Sequence, residues 1–357
     1  MLMNIYDYAE EKKISIRQVL DFKLLSNPIG PSNKARSAMR SALKATALPP
    51  DGKTRHLRRY LAGRERIKPE NTLFCHGSTL LLELLLVRVK PGKVLVPGPL
   101  PTHYVPLLQR HGTSVVSCPL REEEGFSLDL RRLAPLIDYV DMLLIPNPHW
   151  VTGTLIPLPD LHEIAEMLQG SDKMLVLDEG LVEFTGGAYP AEQVVRSENM
   201  LVLRTFSHYH ALAGLRLGYA VGSARILSRI QGGIDPGPVS TVAAAGAIAS
   251  LKDKGFHRRT LEFLKMEKVY LIDMLGRIDG VRVMDTACNF LLVRLGHAAA
   301  DLEKGFHRRH ILVERFEDED TGPLIRLPVR RHRENARFAK TLAGIVSQSK
   351  AGHTNGG

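Results

Sequence analysis

Four places in the 357-residue chain carry residue types able to manage an anion or a proton. Gly77-Ser78-Thr79 stands at the opening of an apolar, helix-like stretch, where unbonded backbone N–H groups and two hydroxyls suit a phosphate. The same residues also suit an ordinary Ser/Thr helix cap. Asp178 closes an apolar strand-like run, where a carboxylate is costly unless it meets a cation or a donor. Arg216, in Leu215-Arg216-Leu217, and Arg326, between Ile325 and Leu327, are charges set inside apolar runs. One such arginine reads as an edge or salt-bridge residue. Two of them, with a phosphate-type loop and an end-of-strand Asp, point to a site for an anionic ligand.

The elements that must position these residues follow from the pattern. Cys75-His-Gly-Ser-Thr79 opens an apolar stretch to Val87 that reads as a helix. Short β-type runs are expected at 93–97, 114–118, 142–145, 174–177, 200–204 and 217–221, with a helix at 159–168. Strands alternating with helices predict an α/β fold with a mostly parallel sheet flanked by helices. In such sheets ligands gather beyond the carboxyl ends of the strands, which is where Asp178 lies. Gly and Pro cluster at 231–238, and beyond them helices are expected at 239–252, 257–278 and 333–347, with strands at 281–284, 290–293 and 324–327. That second part is a smaller α+β domain, and the polar, Gly-rich residues 349–357 read as a disordered tail.

Several stretches together resemble the fold-type-I pyridoxal-phosphate enzymes, the aminotransferase class I/II superfamily. Within it the chain looks like the threonine-phosphate decarboxylases of cobalamin synthesis and the histidinol-phosphate aminotransferases. The stretches are Ile5-Tyr6 through Asp21-Phe22, Asn27-Pro-Ile-Gly-Pro31, Pro69-Glu-Asn71 to Gly77-Ser-Thr79, and Thr152-Gly-Thr-Leu-Ile-Pro157. Asp178-Glu179, Ala211-Leu-Ala-Gly-Leu-Arg-Leu-Gly-Tyr219 and Asn289-Phe-Leu-Leu-Val293 follow in the family's order. The resemblance implies a segment 1–45 joining the small domain, a large cofactor-type domain at 46–235 and a small domain at 236–348, in a homodimer.

The same resemblance assigns roles. Ser78 and Thr79, with Arg216, would hold the phosphate of pyridoxal 5'-phosphate or pyridoxamine 5'-phosphate, and Gly77, Trp150 and Ser207 would also line the cofactor's site. Asp178 would pair with the pyridine nitrogen and keep it protonated, so that the ring accepts electrons. Arg326 would bind a substrate carboxylate through its bidentate fork. Asn27 and Asn289 would line the substrate side.

The pattern fails at its centre. The family's Schiff-base lysine lies eight residues before the phosphate arginine, and that position is His208. No lysine occurs between Lys173 and Lys252. Imidazole has no primary amine, so no internal aldimine forms and any cofactor is held non-covalently. Trp150 stands where the family's Asn donates to the cofactor's ring oxygen, and Pro101 where an aromatic stacks, with His103 and Tyr104 close by. Leu48-Pro49 replaces the Tyr that reaches a neighbouring subunit's phosphate, and the decarboxylases' opening His-Gly-Gly is missing before Asn4. These changes describe a rebuilt pocket.

Two readings result. In one, the protein acts on, or binds, a pyridoxal-phosphate adduct of an amino acid, a phosphorylated one included, with His208 as general base. In the other it is a pseudoenzyme that kept the fold as a binding or partner protein. The net charge of +10 suits an anionic ligand, but the basic residues are dispersed over helix-like segments and aromatics make up only 6%, so nucleic-acid binding ranks last. Cys75, Cys118 and Cys288 are too few and too scattered for a disulfide framework or a tetrahedral metal site. No run is long enough to span a bilayer, and residues 1–13 carry acids without an apolar core, so a cytoplasmic protein is expected.

Overall fold

The computed structural model describes residues 4–233, 239–295, 302–316 and 324–354, with 349–354 by backbone alone. Its strands run, in chain order, β1 (Leu20–Phe22), β2 (Thr72–Cys75), β3 (Lys93–Gly98), β4 (Ser114–Pro119), β5 (Met142–Pro146) and β6 (Met174–Asp178). They continue as β7 (Met200–Thr205), β8 (Gly218–Gly222), β9 (Val281–Met284), β10 (Phe290–Leu295), β11 (Ile311–Phe316) and β12 (Leu324–Pro328). Contacts divide the chain into two units, Gly30–His257 and Met1–Ile29 with Arg258–Gly357.

The larger unit is built on a seven-stranded sheet of order β2-β8-β7-β6-β5-β3-β4. The ladder from β7 to β4 is parallel, and β8 alone runs against its neighbours β7 and β2. Every residue of β5 and β6 is buried, because both faces of the sheet are covered, so these strands read as continuous apolar runs rather than alternating ones. Leu143, Ile145, Leu175, Leu177 and Val202 belong to one core, and fully burying each aliphatic side chain is worth about 1.5–3 kcal/mol. The strand β2 was not expected. Four residues between Pro69 and Gly77 are too short to show a period.

The smaller unit carries a five-stranded sheet of order β1-β11-β12-β10-β9, with β1 parallel to β11 and the other pairs antiparallel. Strands β1 and β11 also escaped the pattern. The first has three residues, and the second places Glu314 and Arg315 in its middle.

The division differs from the boundaries expected at 45 and 235. Helix Thr241–Leu251 belongs to the larger unit because Ala243 and Ala247 sit in its core beside Val202 and Phe206. Helix Asn33–Ala42 packs on it through Met39, so closely that a Cβ on Gly246 would lie 2.9 Å from Met39 Cγ. The expected break at 231–238 falls partly outside the described residues. The last helix, His332–Thr354, enters the segment expected to be a disordered tail, since helix propagation adds one bond per residue fixed and Lys350 and Ala351 accept it readily. Residues 355–357 lie outside the described residues. No described helix is long and apolar enough to cross a membrane. The three cysteines are buried and none is in a disulfide.

Candidate functional site

The phosphate-type loop forms where β2 hands over to helix Ser78–Val89. Gly77 is the N-cap, at φ +89, and no side chain caps the first turn. Ser78 and Thr79 therefore lie inside that turn and are not the Ser/Thr cap considered from sequence. The orphan N–H groups of the turn remain available to an anion. The backbone at Gly77 favours glycine through its φ, which is positive, and a Cβ there would lie 3.1 Å from Arg216 Nη2, so the guanidinium stands directly over this turn. Gly218 of β8 faces Cys75, and a Cβ there would collide with the backbone of Gly77 and Ser78. Arg216 is exposed, adopts φ +50 just before β8, and makes no ion pair with a described residue. The structure thus brings Gly77, Ser78 and Thr79 together with Arg216, a cradle in which an anion would meet both amide N–H groups and a guanidinium. Ser207 lies just past the end of β7, buried, with its hydroxyl 3.0 Å from that of Thr205.

Asp178 closes β6, 5% exposed, and its demand for donors is met inside the unit. Its Oδ2 accepts from Tyr104 Oη at 2.6 Å and from Trp150 Nε1 at 2.9 Å, and its Oδ1 accepts from the Gly180 amide at 3.0 Å. Burial, then the Asp178 charge, hold the Tyr104 phenol well above its ordinary pKa, so it stays a donor. The loop carrying Trp150 is set by His149, whose Nδ1 accepts from the Val151 and Thr152 amides. That assigns the proton to Nε2, which donates to Pro97 O at 3.2 Å.

The Trp150 indole is 7% exposed and lies against the backbone at Gly180, where a Cβ would be 2.6 Å from Cζ2. Half-buried His208 meets it edge-on at 5.2 Å between ring centroids, and exposed His103 does so at 5.3 Å. The site therefore fits a phosphate at the cradle. It does not fit a pyridine ring on Asp178 while the indole stays, and no amine stands at His208 to capture an aldehyde. Sequence reasoning placed Trp150, Asp178 and His208 in one pocket, which the structure does too. It missed that Tyr104 and Trp150 together occupy Asp178 Oδ2, since a donor pair 74 and 28 residues distant leaves no local pattern.

The substrate-side candidates belong to the smaller unit and are engaged there. Asn27 donates from Nδ2 to Thr260 Oγ1 at 2.9 Å, and Asn289 donates to Leu25 O at 2.7 Å. Arg326, expected to take a substrate carboxylate, pairs with Glu314, which stands directly opposite across the β11–β12 ladder. Glu314 went unnoticed because β11 did.

A second cavity in the larger unit, of about 660 Å³, is lined by Arg64, Glu183, Arg204, Tyr209, His210 and His257 among others. Burial pushes the Glu183 carboxyl from 4.5 up to about 7 and holds the His210 imidazole down from 6.5 to about 3. Glu183 thus contributes stability that is full below pH 4.5 and lost as pH rises through about 7. His210 does the reverse, contributing fully above pH 6.5 and losing stability as pH falls toward about 3. Glu183→Gln is expected to stabilise the protein near pH 8 by as much as about 2–3 kcal/mol, with the gain vanishing near pH 4.5, as read by thermal melts across pH. An equal effect at both ends would contradict the buried-carboxyl account.

Comparison with known proteins matches the geometry to a family. The model for "Aminotransferase class I and II" matches residues 31–336. Histidinol-phosphate aminotransferase of Symbiobacterium thermophilum is 28% identical over 342 residues, 95% of this chain and 93% of that protein. Among solved structures, histidinol-phosphate aminotransferase from Sinorhizobium meliloti, in complex with pyridoxal-5'-phosphate, superposes with TM-score 0.88 at 20% identity, covering 98% of this chain and 96% of that one. L-threonine-O-3-phosphate decarboxylase from Porphyromonas gingivalis does so with TM-score 0.77 at 21% identity, covering 92% and 100%. The mostly parallel sheet flanked by helices is the fold these structures share. With its model matched over most of the chain, the protein belongs to the aminotransferase class I and II family, fold type I.

Proposed function

We propose that this member of the family binds a small phosphorylated ligand non-covalently and has given up the family's chemistry. The observation that carries this reading is the asymmetry of the site. The Gly77–Thr79 and Arg216 cradle stands ready for a phosphate, while the position assigned to the Schiff-base amine is His208. The relatives named above are called after histidinol phosphate and threonine phosphate, so a phosphate monoester of an amino-acid-type compound is the ligand class. The alternative, in which His208 is general base on a preformed pyridoxal-phosphate adduct, needs Asp178 to release Trp150 first, and is less well supported.

Calorimetric titration with O-phosphothreonine tests the reading. Binding is expected, and Arg216→Ala is expected to weaken it by about 10- to 100-fold, the worth of one charge-assisted contact to phosphate. With added pyridoxal phosphate, no absorption band of covalently attached cofactor is expected to survive dialysis. A surviving band, or affinity indifferent to Arg216, would overturn the proposal.

A further inference from the structure

We infer that Trp150 is a built-in occupant of the ring site: its indole N–H holds the place on Asp178 that a ligand's protonated ring nitrogen would take. The cradle then admits phosphorylated ligands that lack a planar aromatic ring and turns away those that have one. The inference deepens the function proposed above and rests on its reading of the cradle as a phosphate site.

Three features on the page make the occupant a fitted one. First, the contact is chemical. A buried carboxylate needs donors, and the indole supplies a neutral, non-titrating N–H at 2.9 Å to Oδ2, beside the Tyr104 hydroxyl at 2.6 Å. A ring nitrogen arriving from solution at Oδ2 would have to break one of these bonds before making its own. Second, the backbone is shaped to the indole. With the Gly180 amide on Asp178 Oδ1, a Cβ at that residue would come within 2.6 Å of Cζ2 and 2.9 Å of Cη2, so only glycine lets the indole and the strand end coexist. Third, two other rings pack against it. His208 and His103 meet the indole edge-on at 5.2 and 5.3 Å, the arrangement that aromatic quadrupoles favour. The replacement of an amine by His208 and the arrival of Trp150 are thus one change: an imidazole packs on an indole, where an ammonium would demand water or a partner.

Trp150 is the one tryptophan of the chain, so intrinsic tryptophan emission reports this site alone. The full-length protein is titrated calorimetrically with pyridoxamine 5'-phosphate and, separately, with inorganic phosphate, and emission is followed in parallel wherever Trp150 is kept. For the unaltered protein the two are expected to bind within about threefold of each other, with no red shift of emission, because the indole stays buried against Asp178. For Trp150→Asn, pyridoxamine phosphate is expected to bind at least about tenfold more tightly than to the unaltered protein, with inorganic phosphate unchanged. Adding Asp178→Asn is expected to abolish that gain. Saturable binding of pyridoxamine phosphate to the unaltered protein with a red shift would overturn the inference without recourse to any variant, as would a Trp150→Asn protein of unchanged melting temperature that gains nothing. Failure of the unaltered protein to bind inorganic phosphate would count against the functional reading alone, since the Trp150→Asn gain is read on pyridoxamine phosphate itself.

Discussion

Glu314→Ala is expected to destabilise the protein by about 3–5 kcal/mol, the cost of leaving a buried charge without its partner. Arg326 and Glu314 are 7% and 5% exposed, sit in register on β12 and β11, and form a direct ion pair. The guanidinium lies 5.7 Å from the centroids of both Phe290 and Phe316, which keep bulk water from replacing the lost carboxylate. Removing both charges at once is a different matter. Arg326→Met with Glu314→Leu keeps volume and strands nothing, so the pair of substitutions is expected to recover most of the loss. Urea unfolding of the two single variants and the double one measures this, and a double variant as unstable as Glu314→Ala would refute the pairing argument. The chemistry follows from the energetics. An arginine with a guanidinium nitrogen already paired to an internal carboxylate has less of its fork left for a substrate's.

How far the sequence could be read depended on the reach of each interaction. The strands of the larger unit announced themselves because both faces are covered, so four apolar residues in a row, as in 174–177, point directly to burial. The cradle was visible because Gly77, Ser78 and Thr79 are contiguous, although the sequence did not reveal that Gly77 would be the cap or that Arg216 would lie over it. Strand β11 hid because its central Glu314 and Arg315 break the apolar run, and its charge makes sense only against Arg326 across the ladder. The same holds for Asp178. Its need for a partner was legible from its place at the end of an apolar run, but that the partner would be an indole rather than a ligand is a fact of three dimensions. Long-range polar pairs carry no period in the sequence, whatever their part in the fold.

The strand end that carries Asp178 is itself anchored by such a pair, and Arg204→Ala is expected to cost a further 3–5 kcal/mol or about that. Arg204 is 3% exposed and spans three partners: Glu179 Oε2 at 2.8 Å, Glu65 Oε2 at 3.1 Å and Tyr189 O at 3.2 Å. Burial works against its charge more than any one partner works for it, but Glu179, Tyr219 and Glu65 together outweigh that and hold the guanidinium's pKa above its ordinary value. Glu179, fully buried beside Asp178, also accepts from the Tyr189 amide at 2.6 Å, and burial still raises its carboxyl above the usual range. Without Arg204 this carboxylate must either take up a proton or open the fold. The penalty of Arg204→Ala is therefore expected to be larger near pH 8 than near pH 5, where the stranded group is protonated more cheaply. Arg204→Lys is expected to fall between, because one ammonium cannot reach three acceptors that a planar fork serves together. Urea melts at the two pH values check both statements, and a loss independent of pH would show that packing rather than charge is at stake. Since Glu179 follows Asp178 directly, loosening it should also loosen the carboxylate that holds Trp150, and the lone tryptophan's emission should shift to the red in Arg204→Ala before global unfolding begins.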